Sequence, residues 1–302
     1  MSRSVLLFLR MSRPLFLAGG ALMFALGAGI SNYLGRDIDW GLYLLGQLYV
    51  TVLQLSAHYL NEYFDSPVDQ RNSNRTPFSG GSGAVGEGKI PRNTVLLAAL
   101  TTLTILASLT VLLIGSGHGS PLLVLVITLG FLGAFFYSSP PVRLVSSGYG
   151  ELTTSIVVAN LVPIFSFLLQ NGDFHQLLAM TTFPLTAFHL AMMLVFEFPD
   201  YATDIKYNKR TLLVRIGWER GMVLHNSLIL GGFLLIGAAA SFGLPLPIAL
   251  PAFLSFPVGL LQIWQMRRIA AGARPNWRAL GLTAVALFGS VGYLLAFTYW
   301  IR

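Results

Sequence analysis

The chain has 302 residues, is 54% hydrophobic and only 10% charged, carries a net charge of +7 and contains no cysteine. Soluble domains hold roughly 25% charged residues, so this composition excludes an ordinary soluble protein and points to an integral membrane protein. Without cysteine there is no disulfide framework, thiol chemistry or thiolate metal site, and the positive balance reads as orientation in a bilayer rather than nucleic-acid binding.

In chain order, basic residues precede an apolar run at the N-terminus, as in a signal peptide. The run is too long, and no small-residue cleavage site follows, so it reads as a first span. A helix needs about 20 apolar residues to cross the hydrocarbon core. Nine such runs are found, at 15–34, 41–60, 94–114, 121–138, 150–170, 177–199, 222–243, 246–264 and 279–300. Glycine and proline inside them are tolerated in membrane helices, and the alternation of a barrel strand is not seen. The expected fold is all-α. It is a multi-span membrane helical bundle of nine transmembrane helices, a single domain over 1–302, enclosing a central cavity.

Nine spans put 17 of the 19 Lys and Arg residues on one face, leaving only Arg36 and Arg302 on the other. By the positive-inside rule that face, with the N-terminus, is cytoplasmic. The long loops after the second and sixth spans lie on it, and loops of that size usually carry function.

Those two loops open with acids. In "NEYFDSPVDQRN", Asn61, Asp65 and Asp69 are spaced i, i+4, i+8, along one face of a helix. Pro67 interrupts the pattern, where a kink or helix end is expected. In "EFPDYATDIKYNKRTLLVRIG", Asp200 and Asp204 repeat the i, i+4 spacing four spans later, on the same face. Arg71 and Arg75 trail the first cluster; Lys206, Lys209 and Arg210 trail the second. Carboxylates at two helix ends suit magnesium, which bridges a few carboxylates to substrate phosphates. Arg and Lys beside them suit a diphosphate. The plain alternative is a set of interfacial side chains snorkelling at span ends, and the repeated spacing argues against it. The Gly-rich "SGGSGAVGEGK" lacks the Gly-Lys-Ser/Thr ending of a phosphate loop and reads as a lid.

With these motifs, "NEYFDSPVD", "DYATD" and the "YSSPPVRL" segment, the chain resembles the UbiA superfamily of membrane prenyltransferases over nearly its whole length. Glu62 stands where that family has its second-position Asp. "RTPFSGGSGAVGEGKI", "GYGELTT" and the second acidic segment are most similar to the branch that prenylates 1,4-dihydroxy-2-naphthoate in menaquinone biosynthesis. That branch usually has Gly where Asn208 stands, a residue that still tolerates a left-handed turn.

The resemblance implies magnesium-dependent transfer of a polyprenyl group from its diphosphate to an aromatic acceptor, in a prokaryotic plasma membrane. Asn61, Asp65 and Asp69 would hold one Mg2+; Asp200 and Asp204 would hold another. Arg75, Arg143 and Lys209, with Arg210 as second choice, would bind the diphosphate. Tyr137 would sit near the reacting carbon or on the diphosphate, with Asp65 and Asp200 as essential acids. His58, Asn160 and Glu151 are candidates for the acceptor pocket, although each also has an ordinary structural role. The cavity would open sideways to lipid for the isoprenoid tail. Other acceptors (4-hydroxybenzoate, homogentisate, haem, chlorophyllide or glycerol phosphate) and an ion-coupled transporter stay open as alternatives.

Overall fold

A computed structural model of the chain describes residues 3–72, 74–115 and 119–302. Before the first span it forms a separate helix, α1 (Arg3–Ser12), which span counting does not anticipate. Leu7, Phe8 and Met11 turn inward and pack on the bundle, while Leu6 and Leu9 face outward. Arg13, in a left-handed conformation with φ 51, turns the chain into α2 (Pro14–Tyr33). Pro14 opens that helix, where its missing N–H costs nothing.

The helix α3 (Trp40–Asp69) has 30 residues and is capped by the Asp39 carboxylate, which accepts from the Leu42 N–H at 2.9 Å. At 1.5 Å per residue it is roughly 45 Å long, against a hydrocarbon core of about 30 Å. Its last turns, bearing the first acidic motif, therefore reach past the apolar layer. The helix runs through Pro67 without ending. Proline cannot donate to the Tyr63 carbonyl one turn back. Arg92 takes that carbonyl instead, with Nε at 3.0 Å and its guanidinium 4.3 Å from the Tyr63 ring centre.

The remaining elements are α4 (Arg92–Leu113), α5 (Pro121–Ser138), α6 (Gly150–Ile156), α7 (Val162–Asn171), α8 (Gln176–Glu197), α9 (Tyr201–Lys206), α10 (Leu212–Ile216), α11 (Trp218–Ser241), α12 (Leu246–Ala252), α13 (Phe256–Ala270) and α14 (Trp277–Ile301). Among the described residues there is no strand, only one isolated bridge between Val85 and Ile90. The α6 and α7 segments join through a π-turn over Val157–Leu161. Pro163, two residues past its end, has no N–H to donate backwards, and such a gap in the ladder is where a helix widens. The backbones of α2 and α7 nearly touch there: a Cβ on Gly27 would lie 2.1 Å from the Pro163 carbonyl oxygen. Small residues allow that approach in membrane bundles.

Eight helical stretches among the described residues are long and apolar enough to cross a membrane. The sequence-based count of nine becomes eight plus α3, which is long enough but too polar by composition. Two of its polar side chains find partners inside the bundle for their amide N–H groups. Gln54 donates to the Phe16 carbonyl at 3.1 Å and Gln47 to the Thr51 hydroxyl at 3.1 Å. The protein is an integral, multi-pass membrane protein of the all-α class.

Candidate active site

Both acidic motifs open into one chamber of about 1330 Å3, counting its open mouth. Its walls come from α2, α3, α5, α6, α7, α8, α9 and the two long loops. The helices α4 and α11 to α14 contribute nothing to the wall.

Asn61, Asp65 and Asp69 all line it from α3, as their helical spacing requires. Asp65 is the hub and is 3% exposed. Its carboxylate accepts from Asn61 Nδ2 at 3.0 Å, Arg143 Nη2 at 3.2 Å and Lys209 Nζ at 3.4 Å. Glu62, one residue further round the helix, points elsewhere. It accepts from Arg13 Nη2 at 2.7 Å, from the Ser82 N–H at 2.8 Å and from the Ser82 hydroxyl at 2.7 Å. The acid that departs from the family pattern thus fastens the lid loop and the α1–α2 turn to α3.

The second motif is placed by a break. The helix α8 gives way at Pro199 to a tight turn, Phe198–Asp200, and restarts as α9, leaving Asp200 and Asp204 facing the chamber. Asp200 Oδ1 accepts from Asn72 Nδ2 at 2.7 Å and from the Ser79 hydroxyl at 3.3 Å. Both donors belong to the loop after the first motif, so that loop ties the two acidic clusters together. Asn208 does adopt the left-handed turn, with φ 55, and directs Lys209 back into the chamber. In the lid, Gly81 passes directly over Asp69 at φ 71; a Cβ there would lie 2.3 Å from the carboxylate oxygen.

Tyr137, His58, Glu151 and Lys209 line the chamber as expected, and Arg143 reaches Asp65 from its rim. Three expected residues are not brought in. Arg75 is spent inside the lid, with Nε on the Gly80 carbonyl at 2.7 Å and Nη2 on the Asp69 carbonyl at 2.6 Å. Arg210 is exposed and forms no part of the wall. Asn160, in the π-turn, donates to the Thr186 hydroxyl between helices. Sequence reasoning missed Arg13, Asn72, Ser79 and Glu197. Arg13 reads as an orientation charge, and Glu197 as the residue before a motif. Glu197 is buried, accepts from the Leu213 N–H at 3.0 Å and lies within hydrogen-bonding reach of Glu151. Glu151 Oε2 has no donor of its own among the described residues.

The wall holds six carboxyl groups (Asp65, Asp69, Glu151, Glu197, Asp200 and Asp204) against two cations, Arg13 and Lys209. Burial alone would lower the Lys209 pKa, but Asp65, Asp204 and Asp69 outweigh it and raise it. Burial works against Arg13 too, and the Glu62 carboxylate more than offsets it. A lysine whose folded value lies above its unfolded value gives stability that is complete below the unfolded pKa, about 10.4, and is lost as pH rises through the folded one. The difference in melting temperature between wild type and Lys209→Met is therefore expected to shrink as pH rises above about 10.4. A difference that stays unchanged through that range would contradict the ion-pair cluster.

The surplus of buried negative charge and the all-oxygen donor set fit magnesium. Among the described residues no group of three acidic or histidine side chains closes on a single ion. That too suits Mg2+, which keeps to one or two carboxylates and completes its shell with substrate phosphate and water.

Below the acids the chamber turns apolar. Phe78 stacks on Phe196 at 5.4 Å, and Phe16 meets Phe196 edge-on at 5.8 Å. A slot of about 270 Å3 continues past Val50, Leu53, Val157 and Val162 towards Gly130 and Phe165. Such a site has a charged head and a greasy tail. It belongs to an integral membrane protein whose chamber is built like an enzyme site.

The chain belongs to the UbiA prenyltransferase family, whose model matches residues 21–280, and it is a prenyltransferase. A 1,4-dihydroxy-2-naphthoate octaprenyltransferase of Bacillus subtilis (strain 168) is 22% identical over 248 residues, covering 82% of this chain and 78% of that one. Among solved structures, a UbiA homologue from Archaeoglobus fulgidus bound to GPP and Mg2+ superposes with a TM-score of 0.67 at 13% identity, over 96% of this chain and 99% of that one. A digeranylgeranylglyceryl phosphate synthase gives 0.63 at 14% identity, over 99% and 98%. Membership of the family sets aside the transporter alternative.

Proposed function

We propose that this single-domain prenyltransferase, spanning 1–302, transfers a polyprenyl group from its diphosphate to 1,4-dihydroxy-2-naphthoate, with the acidic chamber at the cytoplasmic face of a prokaryotic plasma membrane. The observation that carries the reading is the double hold of Asn72 and Ser79 on Asp200, which makes one site of two distant motifs. The Bacillus subtilis relative supports the choice of acceptor, and the Archaeoglobus homologue bound to GPP and Mg2+ supports the donor and metal.

Asn61, Asp65 and Asp69 would hold one Mg2+, Asp200 and Asp204 another. When bound, the ions supply charge neutralisation for a departing diphosphate. Lys209 and Arg143 lie on Asp65, where each can swing a donor to a phosphate oxygen. In transfer the allylic C–O bond breaks with its electron pair leaving on the diphosphate, and the prenyl C1 bonds to a carbon of the acceptor ring. That carbon gives up its proton to the released diphosphate, or its carboxylate as carbon dioxide, as the ring regains its aromatic electrons. Phe16, Phe78, Phe196 and Tyr137 give the electron-poor prenyl carbon aromatic faces and keep water away. Glu151 and Glu197, on the wall beneath, would orient the acceptor hydroxyl. His58 is held by the Ser12 carbonyl at 3.1 Å and would pack beside the acceptor.

The test is an assay of purified protein with radiolabelled prenyl diphosphate and magnesium against an acceptor panel led by 1,4-dihydroxy-2-naphthoate. Product with that acceptor, abolished by a chelator, is expected; product only with another ring would move the enzyme to a different branch. The apolar slot is the proposed tail channel. Gly130→Phe would fill it and lower kcat/KM for long donors on the order of tenfold or more, sparing the shortest donor. Equal losses at every chain length would place the tail elsewhere.

A further inference from the structure

Beside the chamber, on the same end of the bundle, lie two adjoining recesses of about 1070 and 880 Å3, counting their open mouths. Arg10, Arg13, Arg75, Arg274 and Arg278 line them, and no acidic residue does. Three separate segments meet there: the α1–α2 turn, the lid loop and the turn into α14. Arg13 is committed to Glu62, and Arg75 to the carbonyls of Gly80 in the lid and Asp69 at the end of α3. Arg10, Arg274 and Arg278 are exposed and donate to no carboxylate among the described residues.

Charges that only orient a protein sit on convex loops and need no walls. These line a trough that Trp277 borders and that the outward Leu6 and Leu9 of α1 place at a membrane surface. Unpaired guanidinium groups converging on an acid-free recess select a phosphate, which accepts paired N–H donors. We infer that this trough, which adjoins the reaction chamber and shares Arg13, Phe16, Phe78 and Gly81 with its wall, is a second anion site that takes the phosphate headgroup of an anionic membrane phospholipid.

Occupancy has a consequence for the chamber. Thr76, Phe78 and Gly81 of the lid form part of the trough wall, and Ser79 between them holds Asp200. A lipid phosphate bridging Arg10, Arg278 and Arg274 would pin the lid over the acids. Anionic lipid would then stiffen the lid without touching the substrate.

The full-length protein would be placed in nanodiscs of phosphatidylcholine, with and without phosphatidylglycerol, as wild type and as R10Q/R274Q/R278Q. Native mass spectrometry reads retained lipid, and hydrogen exchange reads the lid over residues 74–82; neither depends on turnover. Wild type is expected to retain phosphatidylglycerol and to protect the lid. At the usual worth of a basic residue near an anionic surface, losing three arginines lowers retention on the order of a hundredfold. Turnover in pure phosphatidylcholine stays at the wild-type value. Equal retention by both proteins, or lid protection indifferent to phosphatidylglycerol, overturns the proposal. So does one-for-one displacement of the lipid by a non-hydrolysable prenyl diphosphate analogue, which makes the trough a loading point for substrate, or by inorganic phosphate, which makes it a site for free anions.

Discussion

Asp65→Ala and Asp200→Ala are each expected to lower prenyl transfer by at least about a hundredfold while leaving a folded protein. Asp65 is the point where Asn61, Lys209 and Arg143 converge. Without its carboxylate, two cations lose the group that aims them, and the proposed first magnesium position would lose a ligand. Asp200 is the corresponding point for the lid, with Asn72 and Ser79 as its donors. The fold survives because the chamber already holds more acids than cations, so deleting one carboxylate relieves repulsion as well as removing an attraction. Turnover, elution volume and helical circular dichroism check both halves. Near wild-type turnover in either variant would end the two-metal reading. Asn72→Ala should be milder, by about 10- to 100-fold in metal affinity, as for other groups that steady a metal ligand.

The second large effect is on stability. Glu62→Ala leaves the Arg13 guanidinium without its 2.7 Å partner and strips Ser82 of both its acceptors. Breaking a fully buried pair from one side costs about 3–5 kcal/mol; here Arg13 stays partly exposed and keeps Asn61 as an acceptor at 3.1 Å, so the cost falls below that range. The measurable results are a lower melting temperature and rapid hydrogen exchange in the lid. Glu62→Asp shortens the arm but keeps the charge and should recover part of the loss. Glu62→Gln keeps the shape without the charge and should recover less. If all three variants melt with wild type, Glu62 is not the fastener described above.

Much of the site was legible because helical periodicity needs no tertiary information. Acids four residues apart share a face whether or not the partner helix is known. The first and second motifs were therefore reachable from periodicity, and they do line the chamber. Lys209 and Glu151 were placed by their position beside the motifs and at a span end, whereas Tyr137 and the left-handed turn at Asn208 were legible only through the family resemblance. Arg75 and Arg210 could not be separated from Arg143 by sequence. A long flexible side chain at a loop can bind a carbonyl, face solvent or reach an acid, and only the loop path decides.

By itself the sequence determined the class of protein. Charge scarcity and apolar runs force helices into a membrane, since each backbone group must be satisfied internally. The spacing of the acids fixed which helix faces carry the chemistry. The tertiary structure alone decided which distant groups meet. Glu62 fastens Arg13 and Ser82 instead of facing the chamber, Asn72 and Ser79 reach across to Asp200, and the arginines of three segments share one trough. Those contacts depend on how loops close over helix ends. Loop closure is governed by long-range hydrogen bonds between residues far apart in the chain, and no local pattern encodes them.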